Sequence, residues 1–159
     1  MPVKQPDLSL EDLKAALPAS GALIGLDLGT KTIGLALSDI GRRIASPLVV
    51  IRRTKFQADL AELRREVERH GAVGLVLGLP VNMDGSEGPR AQATRGFARN
   101  IATAIPLPLV FWDERLSTAA VTRTLLEADA SRKRRGEVVD KMAAAYILQG
   151  ALDRLARIG

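Results

Sequence analysis

The stretch ALIGLDLGTKTIGLALSDIGRRIASPLVVIRR, residues 22–53, holds three strand-like runs, ALIGLDL, IGLALSD and ASPLVVIRR, separated by the short turns GTKT and IGRR. Apolar runs of this length joined by tight turns predict an antiparallel meander of three strands. Pro47 has no amide hydrogen to give a central ladder, so part of the third run is expected at a sheet edge or a bulge.

Beyond Arg53 the period changes. Phe56, Leu60, Leu63 and Val67 recur at helical spacing, with Arg64, Arg65, Glu66 and Glu68 largely off that face. AVGLVLGL (72–79) is continuously apolar, as a parallel strand buried on both faces should be. The loop PVNMDGSEG (80–88) then leads into a second helix with the stripe Ala93, Phe97, Ile101 and Ile105. LVFWD (109–113) reads as another buried strand, followed by a helix from about Ser117 to Ala128. A basic, glycine-containing link, SRKRRGE (131–137), joins it to a final helix ending near Ile158. Upstream, Ser9 with Asp12 makes an N-terminal cap for LEDLKAAL, and Pro18 to Gly21 ends that helix. The expected fold is α/β: a mixed sheet, three antiparallel strands then parallel ones, flanked by helices. Residues 1–20 are expected as an N-terminal helical extension and residues 21–159 as one domain.

Composition narrows the chemistry. The 159 residues contain no cysteine, which excludes disulfides, thiolate zinc sites and a cysteine nucleophile. The lone histidine, His70, precedes Gly71 and reads as a last-turn helix cation rather than a ligand. Aromatics are 3%, too few for rows of stacking rings on single strands. The polar start lacks the apolar core of a signal peptide, and no run approaches a membrane span, so a cytoplasmic protein is expected. The net charge of +5, carried by Arg far more than Lys, favours a polyanionic partner and bidentate phosphate contacts.

Asp27 lies near the end of the first strand between Leu26 and Leu28. A carboxylate there needs a cation or hydrogen-bond donors, because burying an unpaired one costs several kcal/mol. Satisfying turn amides is an equally simple role. Asp113 and Glu114 end a predicted parallel strand, on the carboxyl edge where α/β folds bind ligands. Adjacent residues point to opposite faces, so one of the two faces a site; a surface pair of Glu114 with Arg115 is the plain alternative. Asp140 shares a helix face with Ala143, Ala144, Ile147 and Ala151, an acid on the apolar side, or else a first-turn acid facing the dipole. If these acids converge, two like charges at about 4 Å repel by roughly 4 kcal/mol at an effective dielectric of 20. One or two divalent cations with oxygen ligands compensate that repulsion, and Mg²⁺ suits such sites.

The segments IGLDLGTKTIGLALSD, VLGLPVNMDGSEG, FWDERLST and VVDKMAAAYIL resemble the YqgF/RuvX family in order and spacing over residues 21–157. The resemblance implies an RNase H-like fold and a nuclease, described for the family both as a pre-16S rRNA nuclease and as a Holliday junction resolvase. It implies Asp27, Glu114 and Asp140 as catalytic, metal-binding acids, Mg²⁺ as cofactor with Mn²⁺ as a substitute, and hydrolysis to a 5′ phosphate and a 3′ hydroxyl. A fourth acid common in RNase H-like enzymes has only Asp113 as its nearest match. Lys31, Arg115 and the run Arg132, Lys133, Arg134 and Arg135 are candidates for phosphate contacts. Asn82, Asp84 and Gly85 make a turn in a loop that also faces the substrate in this reading. Structured precursor rRNA is the favoured partner, with branched DNA as the alternative, ribosomal particles as a further association, and a monomer or weak dimer as the assembly.

Two rival classes remain at this stage. DLGT after a strand also resembles the first phosphate loop of the actin and sugar-kinase superfamily, but this chain has no second related domain and no GxxxxGK[ST] sequence. The other rival is a non-catalytic nucleic-acid-binding protein of the same fold, which would bind without metal-dependent cleavage.

Overall fold

The computed structural model describes residues 8–116 and 132–158, and within the last helix the side chains from residue 141 onward. In chain order the elements are α1 (Leu10–Ala16), β1 (Leu23–Leu28), β2 (Thr32–Ser38), β3 (Ala45–Arg52) and α2 (Phe56–His70). There follow β4 (Gly74–Leu79), α3 (Pro89–Ala104), β5 (Leu109–Asp113), a 3-10 turn (Glu114–Leu116) and α4 (Arg132–Arg157). The helix expected over 117–128 lies outside the described residues.

The sheet order is β3-β2-β1-β4-β5. β1 pairs antiparallel with β2 and parallel with β4, and β5 pairs parallel with β4, which is the mixed sheet expected from the meander and the two apolar runs. β3 is an edge strand, and its register on β2 shifts between Leu35 and Ala36, where Pro47 faces Ala36. The missing proline donor is thus accommodated at both an edge and a bulge.

Strand alternation divides the core in two. Ile24, Leu26, Leu28, Leu75 and Leu77 pack against Leu60, Leu63, Phe97 and Ile101 of α2 and α3. Leu23, Val76, Val110 and Trp112 point the other way, against Leu13 of α1 and Ala144, Ile147, Leu148 and Ala151 of α4. Successive side chains of β1 and β4 serve opposite layers, which is why both strands are buried at every position.

Three details depart from the sequence reading. Ala93 is exposed, and the buried residues of α3 are Ala91, Thr94, Phe97, Ala98 and Ile101. A strict four-residue stripe drifts around a helix of 3.6 residues per turn, so its first member leaves the face. Glu66 is buried, and His70 Nε2 lies 3.4 Å from its Oε1, within ion-pair range. The basic run 132–135 is no link: α4 begins at Arg132 and continues through Gly136. Arg and Lys are strong helix formers, and a single interior glycine costs only about 1 kcal/mol.

The helix α1 belongs to the same core. Ser9 and Asp12 form a reciprocal capping box, with Asp12 N donating to Ser9 Oγ at 3.0 Å. Leu13 is fully buried in the α4 layer. Lys14 Nζ donates to the carbonyls of Leu155 (3.1 Å) and Ile158, satisfying acceptors that the end of α4 leaves open. Leu13→Ala is therefore expected to lower the unfolding free energy in urea by about 2–5 kcal/mol. A change within about 0.5 kcal/mol would make α1 a dispensable appendage.

Candidate active site

The direction of α4 decides what can meet at the carboxyl edge of β1 and β4. Gln149 is tied to the β2–β3 turn: its Oε1 accepts from Ala45 N at 2.8 Å and its Nε2 donates to Arg43 O at 3.0 Å. That turn stands at the amino end of β1, because β2 runs back from it antiparallel. Going toward its N-terminus, α4 therefore crosses β1 and β4 toward their carboxyl ends. It lies very close to both strands. A Cβ added to Gly25 would sit 2.7 Å from Leu148 Cβ and 3.1 Å from Ala144 O. A Cβ added to Gly78 would collide with Ile147 Cδ1 and come within 3.0 Å of Glu114 Oε2.

These contacts fix the orientation of the two described acids. Asp27 is two residues beyond Gly25, so its side chain is on the same, α4-facing side of the sheet. Glu114 opens the 3-10 turn directly after β5 and folds its carboxylate back over Gly78 on that side. The parallel register Leu26↔Leu77, continued by one residue, sets Asp27 beside Gly78. Neighbouring strands are about 4.8 Å apart, so both carboxylates occupy one small region under α4. They are 2% and 7% exposed, and each is engaged with other groups of the protein. Asp140 lies one turn before Ala144 on the α4 backbone, the next turn toward this edge. Its side chain, like those of Arg132, Lys133, Arg134 and Arg135, lies outside the described residues. Among the described residues, no set of three His, Cys, Asp or Glu side chains is placed together as for a metal ion.

Asp113 and Arg115 take a different part from the one expected. Asp113 is adjacent to Trp112, which packs toward α4, so it projects to the opposite side of the sheet from Asp27. Arg115 grips it from Nε (3.1 Å to each oxygen) and Nη2 (2.7 Å to Oδ2), while Nη1 reaches Met83 O at 3.3 Å. Hydrogen bonding from the Arg115 side chain holds the Asp113 carboxyl below the usual carboxylate range and raises Arg115. Asp113 is thus a partner of Arg115 on the far face and not a fourth acid of the Asp27 cluster. Arg115, in turn, has much of its donor capacity committed within the protein.

Lys31 is exposed in the β1–β2 turn, the position expected for it. That turn is held by two cations the sequence reading passed over. Arg53 Nη1 donates to Gly29 O at 2.6 Å, and Arg90 Nη2, from the start of α3, donates to Leu28 O at 3.1 Å. Both anchor the backbone just after Asp27. Gly78 was equally unmarked, although a glycine inside a continuous apolar strand is itself a sign of close approach.

Residues 21–154 match the family model described as RuvX, Holliday junction resolvase. A relative from Cereibacter sphaeroides named "Putative pre-16S rRNA nuclease" is 66% identical over 151 residues, covering 95% of this chain and 94% of the relative. One of the same name from Paracoccus denitrificans is 65% identical, covering 95% and 96%. Among solved structures, Thermus thermophilus RuvC bound to a Holliday junction superposes with a TM-score of 0.53 at 13% identity. It covers 86% of this chain and 97% of that one, a likeness of fold.

The Asp113–Arg115 pair gives a pH prediction. The folded carboxyl titrates below its unfolded value of about 3.9, so its stabilisation is complete above about pH 4 and is lost as pH falls through the folded value. The pair lies near the surface, so solvent and salt screen it and the effect is small. Urea midpoints measured between about pH 5 and pH 3 should fall less steeply in Asp113→Asn than in the unsubstituted protein. Parallel curves would show that the pair contributes nothing.

Proposed function

The chain belongs to the RuvX Holliday junction resolvase family, and from that premise we propose that it is a metal-dependent endonuclease that hydrolyses phosphodiester bonds to mature the 5′ end of pre-16S rRNA. The observation that carries this reading is the placement of two buried carboxylates at one strand edge, Glu114 against Gly78 and Asp27 beside Gly78 in register. The donors are hard oxygens with no thiolate or imidazole at hand, a set that fits Mg²⁺, with Mn²⁺ as a substitute. Asp140, on the turn of α4 nearest this edge, is the proposed third ligand. When bound, a divalent cation supplies Lewis acidity toward the scissile phosphate and an activated water. The protein's own part is to hold Asp27 on a strand end anchored by Arg53 and Arg90, and Glu114 on a turn folded over a glycine. Lys31, Arg115 and the basic first turn of α4 are the proposed phosphate contacts, with Arg115 contributing only the donors its internal bonds leave. The catalytic unit spans residues 21–159, with residues 1–20 as its N-terminal extension.

The names of the curated relatives favour precursor rRNA; the proposed setting is the cytoplasm, in company with ribosomal particles. One carboxylate site needs one exposed phosphodiester, and RNA precursors offer unpaired segments beside helices. Among the described residues no helix is long and apolar enough to cross a membrane. Junction resolution is the second reading, favoured by the family description. It requires two coordinated cuts and hence a two-fold dimer presenting two sites.

A side-by-side cleavage assay with Mg²⁺ or Mn²⁺ separates these readings, using a 16S precursor fragment and a synthetic four-way junction. Cleavage of the RNA is expected, and Asp27→Asn should reduce it by more than about 100-fold, beyond the loss typical of an outer-shell partner. The same variant should keep or slightly raise thermal stability in metal-free buffer, because one of two like charges is removed. Symmetric paired nicks in the junction with the RNA intact would favour the second reading, and binding without cleavage would leave a non-catalytic protein.

A further inference from the structure

The loop between β4 and α3 has an unusual combination of order and exposure. Met83 at its tip is 87% exposed, the most exposed of the large apolar residues described. Its loop is nonetheless tightly built. Asn82 N donates to Ser86 O at 2.9 Å and Gly85 N to Asn82 O at 2.8 Å. Asp84 Oδ1 accepts from Ser86 N (2.9 Å) and Ser86 Oγ (2.6 Å), and Asn82 Nδ2 donates to Ser86 Oγ at 3.0 Å. Gly85 turns the chain at φ 92°, a conformation that suits glycine. Finally, Arg115 bonds Met83 O while gripping Asp113, so the tip is strutted to the two residues that flank Glu114. A thioether is thus presented to solvent at the carboxyl edge of the sheet, on a loop tied through Arg115 to Asp113. Leu116, 68% exposed, stands on the same edge two residues after Glu114.

From this geometry we propose that Met83 is a base-contacting wedge, packing against an unstacked nucleobase beside the scissile phosphate. The proposal rests on the nuclease reading and assigns that site a specificity residue. Apolar side chains, Met included, are among the groups proteins insert between base steps, and a polarisable thioether makes favourable contacts with aromatic rings. The chain is poor in aromatic residues, so stacking must come from elsewhere. A pre-ordered loop also avoids the cost of ordering on binding. Met83 would favour substrates whose bases unstack at the cut, namely a helix end beside a single strand. In this account Arg115 is a positioning residue that sets the wedge relative to Glu114.

The test uses two RNAs, a stem with a single-stranded flank carrying 2-aminopurine at the helix end, and an unstructured strand. With Ca²⁺ as the sole divalent cation, binding of the unsubstituted protein should raise the 2-aminopurine fluorescence. Met83→Ala should abolish that rise and Met83→Leu should keep it. With Mg²⁺, Met83→Ala should lower kcat/KM on the stem substrate about tenfold and leave the unstructured strand unchanged. Wild-type behaviour of Met83→Ala in both assays, or an equal loss on both RNAs, would overturn the wedge. A Met83-dependent fluorescence rise without cleavage by the unsubstituted protein would sustain the wedge and count against the nuclease.

Discussion

The structure turns on the closeness of α4 to the centre of the sheet. A helix normally packs on a sheet with side chains of both between them, but at Gly25 of β1 and Gly78 of β4 the strands contribute none. Ala144, Ile147 and Leu148 rest almost on the backbone. Small residues on both partners are needed at once: alanines along α4 and glycines in the strands. The same approach on the outer strand puts Gly150 against the ring of Trp112. Glu114 lies against Gly78, where an added β-carbon would crowd its Oε2 at 3.0 Å, and Asp27 stands beside Gly78 in register.

Two anchors hold that geometry from a distance. At the amino edge, Gln149 bonds both sides of the β2–β3 turn and Lys14 caps the end of α4, so the helix cannot slide along the sheet without breaking polar contacts. At the carboxyl edge, Arg53 and Arg90 hold the backbone that follows Asp27. Buried like charges are tolerated when hydrogen bonds, opposite charges or protonation compensate them, and a fixed backbone keeps such partners in place. The polar contacts at both ends of the sheet supply that restraint.

Much of the fold was legible because local and long-range signals agree. The period-2 runs around GTKT and IGRR, the shift to helical spacing at Phe56, and the unbroken apolar strand 72–79 each specify their element without reference to the others. Misreadings arose where two rules compete. A charge run with a glycine reads as a linker, yet Arg132–Arg135 lie in a helix because their propensity for it is high. Glu66 reads as solvent-facing, yet it is buried beside His70, a pairing four residues apart that a polarity pattern does not reveal.

The candidate site was legible in its residue types and less so in its arrangement. Asp27 is conspicuous as an acid inside an apolar strand, and the strand-end position of Asp113 and Glu114 marks an edge where ligands bind. Which of that adjacent pair turns inward depends on the phase of β5. Trp112 sets that phase by packing toward α4, which leaves Asp113 to Arg115 on the far face. The glycines and the Arg115 strut were invisible to a search for chemical groups, since their contribution is the absence of a side chain or a bond to a distant carbonyl. The central claim is that Asp27 and Glu114 share a divalent cation, and diffraction at the manganese edge from a crystal soaked in Mn²⁺ tests it most directly. An anomalous peak bonded to both carboxylates is the predicted result; manganese elsewhere, with a side-chain cation lying between Asp27 and Glu114, would contradict it.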